Sequence, residues 1–419
     1  MKQNFSPLVA LVTVAAFAAP TSRLVAAAET PLLFHLSAPA LNETRARLTR
    51  GEPALQPALA RLRKEADALL KIKPPSVLDK PSVAASGDQH DYFTYGPYWW
   101  PDPSKPDGLP YIRRDGALNP ASKKGTDDAA SDWVLDAIQT LGLAYFFTGH
   151  EPYAVQAARV ARVWFLDPAT RMNPNLEHAQ AIPGITKGRG IGIVEYRELG
   201  RVVDALALVG GSSAWTATDR TNLTAWTESY YRWLLTSANG IDEQDELNNH
   251  GTWYDAQAAH LALVLGKRDE AKKILSQGLK LRLTEQIEPD GAQPRELART
   301  KSLDYSLFNL EALFVCGELG ERTGVDWWSY RTPDGRSLEA ALRYLAPYVD
   351  RTKTWPKKDL VEADRARLLP LFSQYLAHRE DAEIRALYEK FAASAEPAAR
   401  WRLLWPLESR AAGKTPKAP

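Results

Sequence analysis

A helical stripe recurs along most of this chain and limits what it can fold into. Trp133, Ala137, Thr140, Leu141 and Ala144 follow the spacing of a helix with one buried face. Leu223, Trp226, Tyr230 and Trp233 repeat the pattern, and Asn239-Gly240 reads as the stop after them. Tyr254 to Leu265, ended by Gly266, makes a further helix. Ala271, Leu275 and Leu279 mark its neighbour, and Leu303, Leu307, Leu310 and Phe314 another, closed by Gly317 and Gly320. Periodicity also predicts helices around 38–50, 53–72, 152–165, 195–210, 337–347, 364–378 and 382–393. Short polar turns make sequential helices antiparallel. No β-branched runs alternate with them, which argues against a doubly wound sheet, and no repeat of fixed period marks a solenoid. The expectation is an all-α fold, an α/α toroid (an incomplete α/α barrel) of antiparallel helix hairpins around a cleft.

The first residues read as an address. Lys2 is a positive start, Leu8–Ala19 is a short apolar run, and Ala26-Ala27-Ala28 offers a cleavage site, the three parts of a secretory signal peptide. The run falls short of the roughly 20 residues that a spanning helix needs. The expected plan is a signal peptide over 1–28, one domain over 29–409 and a frayed tail over 410–419, in a periplasmic or secreted protein without a membrane anchor. The single cysteine, Cys316, excludes an intrachain disulfide and reads as a small buried hydrophobe. With 52 basic and 51 acidic side chains the net charge is +1, which gives no support for a general nucleic-acid binder.

Two segments break the helical pattern. Residues 87–120 carry six prolines together with Tyr92, Phe93, Tyr95, Tyr98, Trp99, Trp100 and Tyr111, and residues 173–193 form a second long loop. Loops this long in a compact domain are functional or disordered, and so many aromatic rings argue against disorder. Thirteen tryptophans suit a wall for sugar rings, although a core could use them equally.

Three constellations could carry chemistry. Asn248-Asn249-His250-Gly251 stands just before a helix. Arg295-Glu296-Leu297-Ala298-Arg299 leads to Ser302, which could cap a helix whose early turn holds Tyr305. The aromatic and glycine-rich loops bring Tyr98, Trp99, Trp100, Gln180 and Arg189. On the rim of a helical cleft these groups suit β-elimination from a uronic-acid polymer, in which the C5 proton is removed and the oxygen on C4 expelled. The adjacent carboxylate makes that proton a weak acid, so donors must neutralise it as charge builds. Asn249, His250, Arg299 and Gln180 are donors of the right type. A base and an acid are also needed. The Tyr305 phenol can serve as either if Arg299 and the helix N-terminus lower its pKa from about 10; His250 is the alternative base. Same-face elimination lets one tyrosine do both jobs, whereas opposite faces require two groups. Tyr98, Trp99, Trp100 and Arg189 would hold neighbouring sugars, with Asn248, Tyr254, Gln180 and Arg295 as further substrate contacts.

The runs HDYFTYGPYWWPDPSKPDGLPYIRRDG, NPNLEHAQAIPG, NNHGTWYDAQ and ELARTKSLDYS, in that order, resemble the alginate lyase superfamily, which includes lyases of alginate and of polyuronates such as glucuronan. The resemblance spans roughly residues 60–380. It implies an α/α toroid, metal-independent β-elimination without a cofactor, an Asn-His pair at the carboxylate (Asn249-His250), and an Arg and a Tyr as the catalytic pair (Arg299, Tyr305).

Simpler readings compete. Asn249 and His250 could only cap a helix, Tyr305 could only pack, and Arg299 could pair with Glu296 or Asp304. His178 could face the cleft or the surface, and His260, in an apolar helix, reads as core. Asp127 and Asp132 invite a glycoside hydrolase, but Thr126 before two aspartates looks like a capped helix start. A periplasmic polyuronate-binding protein without activity is the non-catalytic rival. Gly188–Gly192 lacks the context of a nucleotide loop, and no metal-ligand spacing is present.

Overall fold

The computed structural model describes residues 32–349 and 353–407; the expected signal peptide over 1–28 and the expected tail over 410–419 lie outside the described residues. Within them the chain is mostly helical. Helices at Ala38–Thr49, Gln56–Leu69, Glu151–Ala161, Leu199–Leu208, Leu338–Leu345, Leu368–His378 and Ala382–Ala392 answer the seven expected from periodicity. The longer stripes form Asp128–Thr148, Ala217–Thr236, Asn249–Val264, Arg268–Gln286 and Ser302–Thr323.

Five of these helices pack in succession: Asp128–Thr148 on Leu199–Leu208, then Asn249–Val264, Ser302–Thr323 and Leu368–His378. The apolar side chains that face one another along this series form one continuous core. Asn249–Val264 is buried on nearly every side, as a helix with neighbours all round must be. Two glycines allow the close approach. A Cβ on Gly142 would lie 2.6 Å from the Ala205 carbonyl oxygen, and one on Gly200 would lie 2.3 Å from the His260 ring. His260 and Cys316 are buried, as expected.

Two expectations are corrected, and one alternative left open is decided. Asn239-Gly240 does not end structure: Ser237 caps a new helix, Ala238–Asp245, by accepting the Gly240 N–H, and the pair lies inside it. Gly317 and Gly320 do not close their helix, which runs on to Thr323 with both glycines buried against Trp328 and Trp327. Most tryptophans serve the core rather than a sugar wall: Trp164, Trp215, Trp226, Trp253, Trp327, Trp328, Trp355 and Trp405 are all buried.

The two irregular loops are ordered against each other. Phe93–Tyr95 pairs in parallel with His178–Ala181, and Trp99–Trp100 pairs antiparallel with Ile112–Arg113. These short ladders satisfy backbone groups that proline-rich chain would otherwise leave to water. They also hold the aromatic segment beside the glycine-rich one.

Candidate active site

The helices Asn249–Val264 and Ser302–Thr323 pack side by side, and their N-terminal turns carry His250 and Tyr305. Asn248 is the cap of the first helix: its Oδ1 accepts the His250 N–H at 2.8 Å, while its Nδ2 donates to Glu246. Asn249 and His250 therefore sit within the first turn rather than before it. The start of the second helix is capped from a distance. Ser302 is its first residue and not its cap; the Ser302 N–H and hydroxyl donate to Asp359 Oδ1 at 2.8 and 2.6 Å, and the Leu303 N–H donates to Asp359 Oδ2 at 2.9 Å. A carboxylate there satisfies orphan donors and meets the positive end of the helix. Asp359→Ala is expected to lower stability by about 1–2 kcal/mol, read as a lower denaturant midpoint. An unchanged midpoint would show that solvent caps this helix equally well.

Asn249 is fully buried, and its backbone N–H and side-chain Nδ2 both donate to the Glu296 carboxylate, at 2.7 Å and at 3.0 and 2.8 Å to the two oxygens. Flipping the amide would set its oxygen against a carboxylate. The orientation is therefore fixed, and Oδ1 is left without a hydrogen-bond partner. This corrects the expected role: Asn249 presents an acceptor, not a donor. His250 Nδ1 lies 2.8 Å from Glu243 Oε1, and the His250 side chain is 13% exposed, whereas Glu243 is fully buried. Burial works against a charge on His250. The Glu243 carboxylate, with Glu246 and Glu296 behind it, outweighs that and raises the imidazole above its usual pKa. Burial raises Glu243 as well, so the two groups compete for one proton. Glu246 raises both groups, Asp242 adds to the rise of Glu243, and Glu296 adds to that of the imidazole.

Arg299 pairs with neither Glu296 nor Asp304. Its Nη2 donates to Asp115 Oδ1 at 2.8 Å, and its Nε reaches both Asp115 oxygens at 3.2 Å. Thr300 adds its N–H and hydroxyl to the same carboxylate. Burial acts to raise Asp115, but these donors hold its carboxyl well below the usual range. Asp304 pairs with Arg367 instead. The Arg299 guanidinium carbon lies 3.7 Å from the centre of the Tyr305 ring, and the Tyr305 hydroxyl donates to the Tyr98 hydroxyl at 2.9 Å. The expected fall in the Tyr305 pKa is not found. Burial drives the phenol up and Tyr98 adds to the rise, while Arg299 pulls it down without prevailing. In this state Tyr305 keeps its proton.

The loops complete the wall. Gln180 has φ 51°, the one non-glycine residue with positive φ among the described residues, and such a backbone persists only where its surroundings enforce it. Its N–H donates to Thr94 Oγ1 at 2.8 Å, and its Oε1 accepts from Arg189 Nη2 at 2.6 Å. Beneath lies half-buried Glu195, which accepts from the Tyr92 and Thr94 hydroxyls and is raised by desolvation to about 7. Arg189 lies over the Trp99 ring, 5.9 Å from its centre, and Trp100 instead donates its Nε1 to Ala117 and stacks with Arg114. Gly190 abuts the helix that carries Glu243: a Cβ there would lie 2.9 Å from the Glu243 nitrogen.

With the Arg299 N–H donating to the Glu296 carbonyl at 3.0 Å, the contacts close into a ring that runs from Trp99 through Arg189, Gly190, Glu243, His250, Asn249, Glu296, Arg299 and Tyr305 to Tyr98. Three buried polar atoms on this ring, Asn249 Oδ1, Glu243 Oε2 and Arg189 Nε, have no partner. Buried polar groups are normally satisfied, so these mark a place where a polar ligand or water is accommodated. Besides Trp100, two expected contacts lie off the ring. Tyr254 is buried in the core and donates its hydroxyl to the Leu234 carbonyl at 3.1 Å; Arg295 is exposed on the short helix Pro294–Leu297. His178 is held in its loop, 3.5 Å from Asp91. Glu243, Glu296, Asp115 and Asp359 were not legible as site residues in the sequence.

The hydrolase reading named Asp127 and Asp132, and neither is among the ring residues; Asp132 lies beside Glu195 and Arg197. Asp127 is 1% exposed, lies 3.1 Å from Lys80 and accepts the Phe93 N–H, so it braces the loop. Asp127 holds the cap position, but its side chain does not cap the helix that follows. Among the described residues no group of His, Cys, Asp and Glu is arranged to hold a metal ion, and no helix is long and apolar enough to cross a membrane.

Comparison with known proteins shows the family of this chain. The alginate lyase family model matches residues 76–355. An alginate lyase from Bacteroides ovatus is similar at 38% identity over 90% of this chain and 100% of that one, with a TM-score of 0.86. Alginate lyase A1-III from Sphingomonas species A1 shares the fold at 17% identity over 89% of this chain and 95% of that one, with a TM-score of 0.55. A variant of alginate lyase A1-III complexed with a tetrasaccharide is similar at 16% identity over 90% and 95%, with a TM-score of 0.56. No curated protein matches the chain. With two thirds of its length matched by the family model and a relative of that identity aligned over nearly all of it, the chain belongs to the alginate lyase family and is a polysaccharide lyase, a carbon–oxygen lyase.

Proposed function

We propose that this lyase cleaves an alginate- or glucuronan-like polyuronate by β-elimination, with the ring of residues around Tyr305 as its active site. The observation that supports this best is the Tyr305 phenol, set between the Arg299 guanidinium and the Tyr98 hydroxyl at the start of a capped helix. In this reading the sugar carboxylate meets the His250 imidazolium, with Arg299 adding positive potential. Neutralising it makes the C5 hydrogen removable.

A phenol that keeps its proton can still act on both sides of one bond rearrangement. Its oxygen takes the C5 hydrogen while its own proton passes to O4; the C4–O4 bond breaks, the C4–C5 double bond forms, and the phenol is restored. A phenol oxygen is donor and acceptor at once, and Arg299 over the ring stabilises negative charge that gathers on it in passing. This route requires the C5 hydrogen and O4 on the same face of the sugar. Trp99 and Arg189, with Gln180 behind them, would hold the neighbouring sugar by stacking and charge.

The succession of packed helices supports closure into an incomplete α/α toroid, with these N-terminal turns at the mouth of its cleft. The short apolar run Leu8–Ala19 supports export to the periplasm or beyond. Incubation with mannuronate, guluronate, glucuronate and galacturonate polymers tests the reading. At least one should yield an unsaturated sugar end that absorbs ultraviolet light. New reducing ends without that absorbance would indicate hydrolysis, and binding without product would indicate a degenerate site.

A further inference from the structure

His250 faces more acidic groups than a catalytic base should. Glu243 comes from the helix Ala238–Asp245, Glu246 from the link that follows, and Glu296 from Pro294–Leu297. Two of the cations nearby are ion-paired, and the third, Arg189, is hydrogen-bonded to a neutral amide. Arg282, from the helix Arg268–Gln286, is bound to Asp255 at 2.8 Å, Arg299 to Asp115 at 2.8 Å, and Arg189 to Gln180 at 2.6 Å. The one carboxylate in direct contact with the ring is Glu243, and it has no exposed surface. An acid so buried costs several kcal/mol to ionise unless a partner compensates. Among the described residues, Oε2 has no partner and Oε1 touches only His250. Arg189 attracts the carboxylate through space but makes no hydrogen bond to it, so His250 is its one direct partner among the described residues.

We propose that Glu243 is the positioning residue of this site: it grips His250 by Nδ1, leaves Nε2 as the nitrogen turned toward substrate, and so makes His250 a cation for the sugar carboxylate rather than the base for C5. The inference deepens the function proposed above and rests on it. The consequence has a definite sign. A cationic neutraliser works below the pKa of His250 and fails as pH rises through it. A base works above that pKa and fails as pH falls.

Glu243→Gln keeps the size and the hydrogen bond but removes the charge. The alkaline limb of its kcat/KM profile should move down by about one pH unit or more, with activity largely recovered on the acidic side. Glu243→Asp, which retains the charge, should restore part of the native profile. A purely structural role would lower activity equally at every pH, and that result, or an unmoved limb, would overturn the proposal. Should Glu243→Gln not fold, nuclear magnetic resonance titration of His250 in the native protein decides the matter. An imidazole already neutral at pH 6.5 contradicts the proposal; one still protonated there supports it. This titration does not depend on activity. If no polyuronate is cleaved the functional reading falls by itself, whereas an active enzyme with a neutral His250 removes only the role of Glu243.

Discussion

Tyr305→Phe is expected to reduce turnover on the order of 10⁴-fold, the upper end of what one acid–base group contributes, because the same hydroxyl handles the proton leaving C5 and the proton reaching O4. The change deletes one oxygen, whose hydrogen bond goes to Tyr98 at 2.9 Å. Such a bond contributes only about 1 kcal/mol to stability, so the melting temperature should move by a few degrees at most. Binding of oligouronate should persist, since the ring and the Arg299 stack remain. Activity within tenfold of native would remove Tyr305 from the chemistry.

His250→Ala is expected to lower kcat by about 10²–10³-fold, the loss that follows removal of one donor aimed at developing charge. The folded state should tolerate the change less easily than Tyr305→Phe, because it leaves Glu243 buried and unpaired. A double variant, His250→Ala with Glu243→Gln, separates the two effects. It should regain stability without regaining activity. Activity restored together with stability would mean that His250 matters only as a packing and capping partner.

The helical frame was readable from the spacing of apolar residues, since that spacing reflects burial directly. What escaped depended on a choice between local signals. Asn239-Gly240 has the composition of a stop, yet Ser237 starts a new turn at once and carries the pair into a helix. Gly317 and Gly320 likewise have the composition of a stop, but they serve as flat surfaces against tryptophan rings. Tryptophan number alone could not separate core from sugar wall; only position did, with Trp99 and Trp100 half-buried in the loops and eight others deep inside.

At the site, Asn249, His250, Arg299, Tyr305, Tyr98, Trp99 and Arg189 were expected from chemical type and their contacts run along one ring, with Gln180 bound to Arg189 and Asn248 capping the His250 turn. Trp100, Tyr254 and Arg295, also expected, lie off it. The acids that orient the ring residues were not legible. Glu296 stands 47 residues from Asn249, Asp115 stands 184 from Arg299, and Asp359 stands 57 from Ser302. Such pairs exist only after folding brings the segments together, and an acidic side chain in a loop carries no local mark of its partner. Glu243 is only seven residues from His250, but it lay in a helix that the stop signal concealed. For the same reason, proximity to Arg299 was not enough to foresee that burial would keep the Tyr305 phenol protonated.

The most direct test is a crystal structure of the Tyr305→Phe protein with a bound oligouronate. The account predicts a sugar carboxylate within hydrogen-bond distance of His250 Nε2 and close to Arg299. The C5 hydrogen and O4 of that ring should both face the position vacated by the phenol oxygen, and a neighbouring sugar should lie against Trp99 and Arg189. An oligosaccharide seated elsewhere, or one whose carboxylate points away from His250 while C5 faces another side chain, would contradict it.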